Sequence, residues 1–205
     1  MEFLKKSLLV LCFFLVIQVD AQDTKTLQIA FEKSYSLESK YLYDDAIRVI
    51  KENYSEKSYP VNTRLGWLYY LNKNYTSSIY YYKKACQLMP AATEPLWALL
   101  SPEIGAEKWS DVEKTYLKII KLDPKNASAN YKLGMIYYYR KNYSKAKKYF
   151  DVSLNLYPLD YDSMNMSAWT NFYLGNSNDA KIMFKKILLV YPNDATALEG
   201  LGLIK

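Results

Sequence analysis

The chain has 205 residues, of which half are apolar and 23% are charged, and it carries a net charge of +6 and no histidine. This is the composition of a folded chain long enough for one domain with a sizeable core, and it argues against intrinsic disorder. The absence of histidine removes the most common general base and the most common metal ligand, so the composition disfavours both catalysis and metal binding.

The first predicted element is a cleavable export signal at residues 1–21. Lys5 and Lys6 precede an apolar run at residues 8–19, and the small-residue pattern ending at Ala21 is typical of a cleavage site. The run is shorter than the ~20 residues that span a bilayer, which favours a signal peptide over an uncleaved membrane anchor. Cleavage would leave Cys86 as the single cysteine, so an intrachain disulfide is not expected and Cys86 is interpreted as a small core residue.

Prolines then recur at a fixed interval. They are 34 residues apart, at Pro90, Pro124, Pro158 and Pro192. Each interval holds two apolar stretches of helical period separated by a polar turn, and each proline disfavours helix in the residue before it. The spacing predicts helix-turn-helix units at 27–58, 59–92, 93–126, 127–160 and 161–194, followed by a partial sixth at 195–205.

Small residues mark the positions where paired helices must approach closely. They are Gly66, Gly134 and Ala168 on the first helices and Ala46, Ser78, Ala146 and Ala180 on the second helices. In the fourth unit the predicted helices cover about 129–140 and 144–155, with Asn142 and Tyr143 in the turn between them. The first unit has Ser34 at the small position and no closing proline.

The third unit departs furthest from this pattern. It has Leu100 at the small position and Pro102 within its first helix. Because proline lacks the backbone donor and clashes with the preceding turn, it costs ~3 kcal/mol in a helix interior. A kink or an early helix end is therefore predicted at Pro102.

The register of these positions resembles the tetratricopeptide repeat. The fourth unit reads Leu133-Gly134-x2-Tyr137, Ala146-x3-Phe150 and Pro158, and the second reads Leu65-Gly66-x2-Tyr69, Ser78-x3-Tyr82 and Pro90. The resemblance implies an all-helical, right-handed α-solenoid of tandem helix pairs in which each unit contacts only its neighbours. It also implies a non-enzymatic scaffold that binds proteins and needs no cofactor.

The resemblance further implies which side chains would meet a partner, because in the family five positions of each first helix line a concave groove. In this chain those positions are Phe31, Tyr35, Trp67, Tyr70, Trp97, Tyr131, Met135, Tyr138, Tyr139, Asn165, Trp169, Phe172 and Tyr173. Most are aromatic, and aromatic rings suit interfaces. The first pair is not the Lys and Asn of the family's carboxylate-binding groove, so that specificity is not predicted.

Some of these rings must instead fill the core between helices. Tyr137, Tyr138 and Tyr139 are consecutive, so they cover roughly 200° of a helix surface and cannot all be buried against one neighbour. The same holds for the run at residues 80–82. This surplus of rings favours an aromatic groove.

The sequence leaves the partner open. A protein or peptide segment is the leading hypothesis, and a glycan stacking on Trp67, Trp97 and Trp169 is the second. The third is a structural subunit of a larger envelope complex, since the apolar end at residues 201–204 could self-associate. No phosphate loop, Cys/His cluster or nucleophile–base pair is present, so no catalytic or metal-binding residue is predicted.

The charge distribution and the export signal bear on the partner and on the cellular location. The lysines fall mostly on the second helices, where a solvated outer face is the simplest interpretation and an anionic lipid or polysaccharide surface is an alternative. Export argues against nucleic acid as a partner. The signal ending and the Lys-, Asn- and Tyr-rich composition resemble envelope proteins of Bacteroidetes-type bacteria, which points to the periplasm or the cell surface.

Overall fold

The structure, a computed structural model, describes residues 24–204, and the predicted export signal lies outside them. The described residues form eleven helices and no strand, which confirms the all-helical prediction. In chain order the helices are α1 (24–38), α2 (Tyr43–Lys51), α3 (Tyr59–Leu71), α4 (Tyr75–Leu88), α5 (Glu94–Gly105), α6 (Trp109–Leu122), α7 (Ala127–Tyr139), α8 (Tyr143–Leu156), α9 (Tyr161–Tyr173), α10 (Ser177–Val190) and α11 (Ala195–Leu203).

Polar caps begin several of these helices. The side chain preceding the helix accepts a hydrogen bond from the backbone N–H three residues further on, as Asn126 does from Ala129 at 3.0 Å and Asp160 from Ser163 at 2.9 Å. Asn142 caps α8 in the same way, accepting from Lys145 at 3.2 Å. Tyr143 is therefore the first residue of α8, and its predicted place in the turn is wrong.

The chain forms two compact units. The N-terminal unit comprises the described residues up to Pro90 together with Ser101–Ala106. Its core joins α1 to α4 through buried residues such as Ile50, Leu65 and Leu68. The predicted close approach of α3 and α4 is present, because a Cβ added at Gly66 would lie 2.8 Å from the ring of Tyr82.

The C-terminal unit comprises Ala91–Leu100 and the described residues from Glu107 onward. A Cβ added at Gly134 on α7 would lie 2.5 Å from the ring of Phe150 on α8. The small residues Ala146, Ala168 and Ala180 are all completely buried. Small side chains at these positions let the paired helices pack with an aromatic ring between them.

Helix α5 continues through Pro102, so the predicted early helix end is wrong. The helix runs three residues beyond the proline, to Gly105. The carbonyl of Pro102 accepts a hydrogen bond from Ala106 N at 2.9 Å, so the turn after the proline is closed normally. The ring of Pro102 is buried, and this burial offsets part of the lost backbone hydrogen bond.

A carboxylate on α6 links the third repeat to the fourth. Glu113 accepts a hydrogen bond from the Tyr137 hydroxyl at 2.5 Å and forms an ion pair with Arg140. The Tyr137 hydrogen bond, followed by the Arg140 guanidinium, lowers the pKa of the Glu113 carboxyl. The same hydrogen bond raises the pKa of Tyr137 to about 12.

We expect Glu113→Gln to lower the free energy of unfolding at about pH 7 by weakening these contacts. Because the folded-state pKa of Glu113 is depressed, its charge stabilises the fold above the unfolded-state pKa of about 4.3. That contribution is lost as the pH falls through the folded-state pKa. As the pH is lowered below about 4.3, the urea midpoints of wild type and Glu113→Gln should therefore converge. The exposed Glu107→Gln variant is the control and should have the wild-type midpoint at every pH. A difference that stays constant down to about pH 3 would contradict the assignment.

Candidate partner-binding surfaces

The first aromatic surface lies on α1 and α3 in the N-terminal unit. Tyr35 is 55% exposed and Trp67 is 40% exposed, and the rings of Trp67 and Tyr70 lie 5.8 Å apart. We call Tyr35, Trp67 and Tyr70 the N-terminal platform. Phe31 supports it from one side, its ring 6.2 Å from that of Tyr35.

A buried ion pair lies beneath this platform. Arg64 is only 5% exposed, and its guanidinium sits 4.0 Å from the centre of the Tyr35 ring while donating to Ser34 Oγ at 3.0 Å. It also pairs with Glu38, which accepts a hydrogen bond from Trp67 Nε1 at 2.8 Å. Glu38 and Arg64 thus connect the exposed rings of Trp67 and Tyr35 through one set of contacts.

The second aromatic surface is a continuous set of rings in the C-terminal unit. Tyr138 lies 5.5 Å from Tyr143 and 6.0 Å from Tyr173, and the rings of Tyr143 and Tyr173 stack at 4.9 Å. Tyr173 also contacts Phe172 at 5.4 Å and Trp169 at 6.1 Å. We call this set the C-terminal platform, comprising Tyr138, Tyr139, Tyr143, Trp169, Phe172 and Tyr173.

The C-terminal platform combines fixed and accessible rings. Tyr139 is 72% exposed and Tyr173 is 49% exposed, whereas Trp169 rests on the buried Phe184 at 5.2 Å. Burial, followed by the charges of the neighbouring tyrosines and a hydrogen bond with Tyr173, raises the pKa of Tyr138. The surface therefore offers exposed ring faces that rest on rings fixed by their neighbours.

The run at residues 137–139 behaves as predicted. Tyr137 is buried and stacks on Tyr149 at 5.5 Å, while Tyr139 points to solvent. In the run at residues 80–82, Tyr81 and Tyr82 are buried and Tyr80 is exposed. One ring of each run is thus left at the surface.

Besides Phe31, four of the predicted groove residues lie outside these platforms. Trp97 is half-buried with its ring 5.9 Å from that of Tyr116, and Met135 is half-buried on α7. Asn165 accepts a hydrogen bond from Thr196 Oγ1 at 3.2 Å, which ties α9 to α11. Tyr131 packs on Phe150 at 5.8 Å.

Tyr131 also lines a polar cleft of about 560 Å³ together with Asp123, Asp160 and Asp162. Burial, followed by the charges of Asp162 and Asp160, raises the pKa of Tyr131 to about 12. The cleft is acidic, which differs from the aromatic character predicted for this position. None of the residues that line the cleft belongs to the C-terminal platform.

Sequence reasoning missed three contributors to the platforms. Glu38 and Arg64 carried no signal, because their pairing joins two helices across 26 residues of sequence. The sequence predicts Tyr143 in a turn, although it completes the ring cluster. The Asn142 cap immediately before it was the signal that could have placed Tyr143 on a helix.

Between residues 24 and 204, no group of three or more Cys, Asp or Glu side chains is arranged to hold a metal ion. Over the same range, no helix combines the length and apolar character needed to cross a bilayer.

Two segments of the chain match models of a known repeat family. Residues 127–160 and 59–91 each match a family model described as tetratricopeptide repeat. The human intraflagellar transport protein 88 homolog is 23% identical over 158 residues, which covers 71% of this chain. The chain spans only 19% of that protein's length.

Solved structures share the fold. MamA superimposes with a TM-score of 0.67 at 21% identity, covering 84% of this chain and 98% of MamA. A tetratricopeptide repeat protein from Parabacteroides merdae gives 0.69 at 19% identity, covering 86% and 71%. YrrB, described as having an unusual peptide-binding site, gives 0.66 at 16% identity, covering 88% and 98%. With its helix pairs, close-packing glycines and 34-residue register, the chain carries the tetratricopeptide repeat at residues 59–91 and 127–160 and shares the fold of solved tetratricopeptide-repeat structures.

Proposed function

We propose that this protein is an exported, non-enzymatic scaffold that binds a protein or peptide segment through its aromatic platforms. The observation that carries the proposal is the C-terminal platform, where each of six rings from three helices contacts at least one other, while Tyr139 stays 72% exposed and Tyr173 stays 49% exposed. A set of rings that served only the core would be covered. Rings supply large contact area at little cost in side-chain entropy, which suits binding.

The platforms favour a particular chemistry in the partner. Tyr139 and Tyr173 expose ring faces, whereas the indole N–H of Trp67 is already hydrogen-bonded to Glu38. A segment whose apolar side chains cover these ring faces would match this chemistry. We therefore propose an extended or helical peptide segment as the ligand.

The exposure of the tryptophan rings supports a glycan ligand less well than a peptide ligand. Stacking a sugar requires an open ring face, and Trp97 and Trp169 are each half-buried against Tyr116 and Phe184. Of the three tryptophans considered for this role, Trp67 alone is exposed. Export to the periplasm or cell surface is part of the proposal and rests on the sequence of residues 1–21.

We expect Tyr139→Ala/Tyr173→Ala to weaken peptide binding by at least about tenfold while helicity is retained, because interface rings of this kind each contribute 1 kcal/mol or more. The probe is a random-peptide library displayed on phage, selected on the full chain, with affinities of the enriched peptides then measured. Tyr80→Ala/Tyr157→Ala is the matched control, since both rings are exposed but lie outside the platforms. Equal binding by the platform variant and the control would refute the proposal, as would failure to enrich any peptide.

A further inference from the structure

The second helices of the C-terminal unit form a basic layer. Together α6, α8 and α10 carry nine lysines and four carboxylates, whereas α7, α9 and α11 carry one lysine and two carboxylates. Lys147 on α8 is paired with Asp151 on the same helix. On α10, Lys181 and Lys185 are exposed and form no ion pair with any carboxylate of residues 24–204. Helix α10 therefore presents positive charge to solvent without a neutralising partner in the described chain.

Two apolar side chains lie among these lysines. Ile182 is 65% exposed and Leu189 is 80% exposed. At the angular spacing of an α-helix, Lys181, Ile182, Lys185 and Leu189 fall within an arc of about 100° on the surface of α10. We call these four residues the basic-apolar stripe. One face of the helix thus combines positive charge with exposed hydrocarbon.

The packing of the repeats does not cover this face. In the third and fourth repeats the equivalent residues, 34 or 68 positions earlier, are polar: Lys114 and Lys148 for Ile182, and Lys121 and Asn155 for Leu189. All four of these side chains are exposed, although a complete repeat follows each of α6 and α8. A repeat packed on the fifth one in the same way would therefore leave the basic-apolar stripe exposed as well.

We propose that the basic-apolar stripe docks this protein on the surface of an anionic phospholipid bilayer. The ammonium groups of the two lysines meet the lipid phosphates, and Ile182 and Leu189 enter the boundary between the headgroups and the acyl chains. A soluble polyanion would match the lysines but would leave both apolar side chains in water. A second copy of the chain that presents the same face is repelled by the like charges. Since the stripe shares no residue with the aromatic platforms, this inference goes beyond the proposed function.

The test is co-sedimentation with large unilamellar vesicles of residues 22–205, the chain that remains after the predicted cleavage and that contains every described helix. Removing residues 1–21 prevents their apolar run from inserting into the vesicles. We expect saturable binding to vesicles of equal parts phosphatidylglycerol and phosphatidylcholine. Binding to phosphatidylcholine alone should be at least about tenfold weaker, because only the anionic lipid attracts the lysines.

Two variants separate the contributions of charge and hydrocarbon. Ile182→Gln/Leu189→Gln and Lys181→Gln/Lys185→Gln should each lower the affinity for the anionic vesicles at least about fivefold. All four side chains are exposed, so both variants should keep the wild-type helical circular dichroism signal. This measurement distinguishes lost membrane binding from lost folding.

Lys125→Gln/Lys132→Gln is the matched control, because it removes the same net charge from two exposed lysines that lie outside the second helices. It should stay within about twofold of the wild-type affinity for the anionic vesicles. Tyr139→Ala/Tyr173→Ala should also bind these vesicles as wild type does. Failure of the membrane proposal and failure of the peptide proposal can therefore be distinguished.

Three outcomes would overturn the inference. The first is absence of binding to the anionic vesicles. The second is an equal loss of affinity in Lys125→Gln/Lys132→Gln, which would mean that net charge alone attracts the chain. The third is a loss in Lys181→Gln/Lys185→Gln without any loss in Ile182→Gln/Leu189→Gln, which would indicate a soluble polyanion or an acidic protein instead of a bilayer.

Discussion

Phe150→Ala is expected to destabilise the C-terminal unit by about 3–5 kcal/mol, the range for removing a fully buried aromatic ring. Phe150 is completely buried, and its ring fills the space between α8 and the backbone of α7 at Gly134. Glycine has no side chain that could move into the resulting cavity, so relaxation should recover little. Urea unfolding followed by the helical circular dichroism signal measures the loss.

The control for this prediction is Tyr139→Ala, which removes an exposed ring from the same unit and should change stability by no more than about 0.5 kcal/mol. A loss below about 1 kcal/mol for Phe150→Ala would mean that the contact with Gly134 does not hold the two helices together. The glycine itself provides a second check. Gly134→Ala brings a Cβ to 2.5 Å from the ring, and overpacking of this kind costs about 1–3 kcal/mol.

Two further variants separate steric overlap from helix propensity. Gly202→Ala makes the same substitution in a helix but in open space, so it should be neutral or stabilise by up to about 1 kcal/mol. Combining Gly134→Ala with Phe150→Leu should cost less than the sum of the single changes, because a smaller side chain leaves room for the added methyl group. Additive effects would argue against direct contact between the two positions.

The features that sequence predicted are those with local or periodic signals. The 34-residue proline interval, the helical period and the glycines each reflect a constraint that recurs in every repeat, so Gly66 and Gly134 could be assigned to the helix crossings without a structure. The surplus of rings at residues 137–139 followed from helix geometry alone. Because these constraints act within one repeat, the residues of that repeat are enough to predict them.

The features that sequence missed depend on contacts between repeats. Position within a first helix could not distinguish Tyr173, which joins the C-terminal platform, from Asn165, which bonds to Thr196 on the next helix. Tyr131 shares its register position with groove residues of the family, yet it lines an acidic cleft with Asp160, at the end of its own repeat, and Asp162, in the following repeat. The burial of Arg64 likewise depends on α1, which supplies both Ser34 and Glu38.

The second large effect is expected at that buried arginine. Glu38→Gln should destabilise the N-terminal unit by about 3 kcal/mol, because it leaves the charge of Arg64 buried without its carboxylate partner. This is the lower end of the range for a broken buried ion pair, since the Glu38 side chain keeps 22% of its surface exposed. Asp45→Asn is the matched control, because the Arg48–Asp45 pair at 2.6 Å is exposed on both sides and solvent screens it, so its loss should leave the urea midpoint nearly unchanged.

A compensating variant tests whether the charge or the packing is responsible. Glu38→Leu/Arg64→Met removes both charges and keeps the side-chain volume, so it should restore stability to within about 1 kcal/mol of wild type. It also deprives Trp67 Nε1 of its acceptor and Tyr35 of the guanidinium beneath its ring. If the ion pair orders the N-terminal platform, this stable double variant should still show reduced affinity for any peptide whose binding is weakened by Trp67→Ala. Wild-type affinity in the double variant would show that the pair contributes to stability alone.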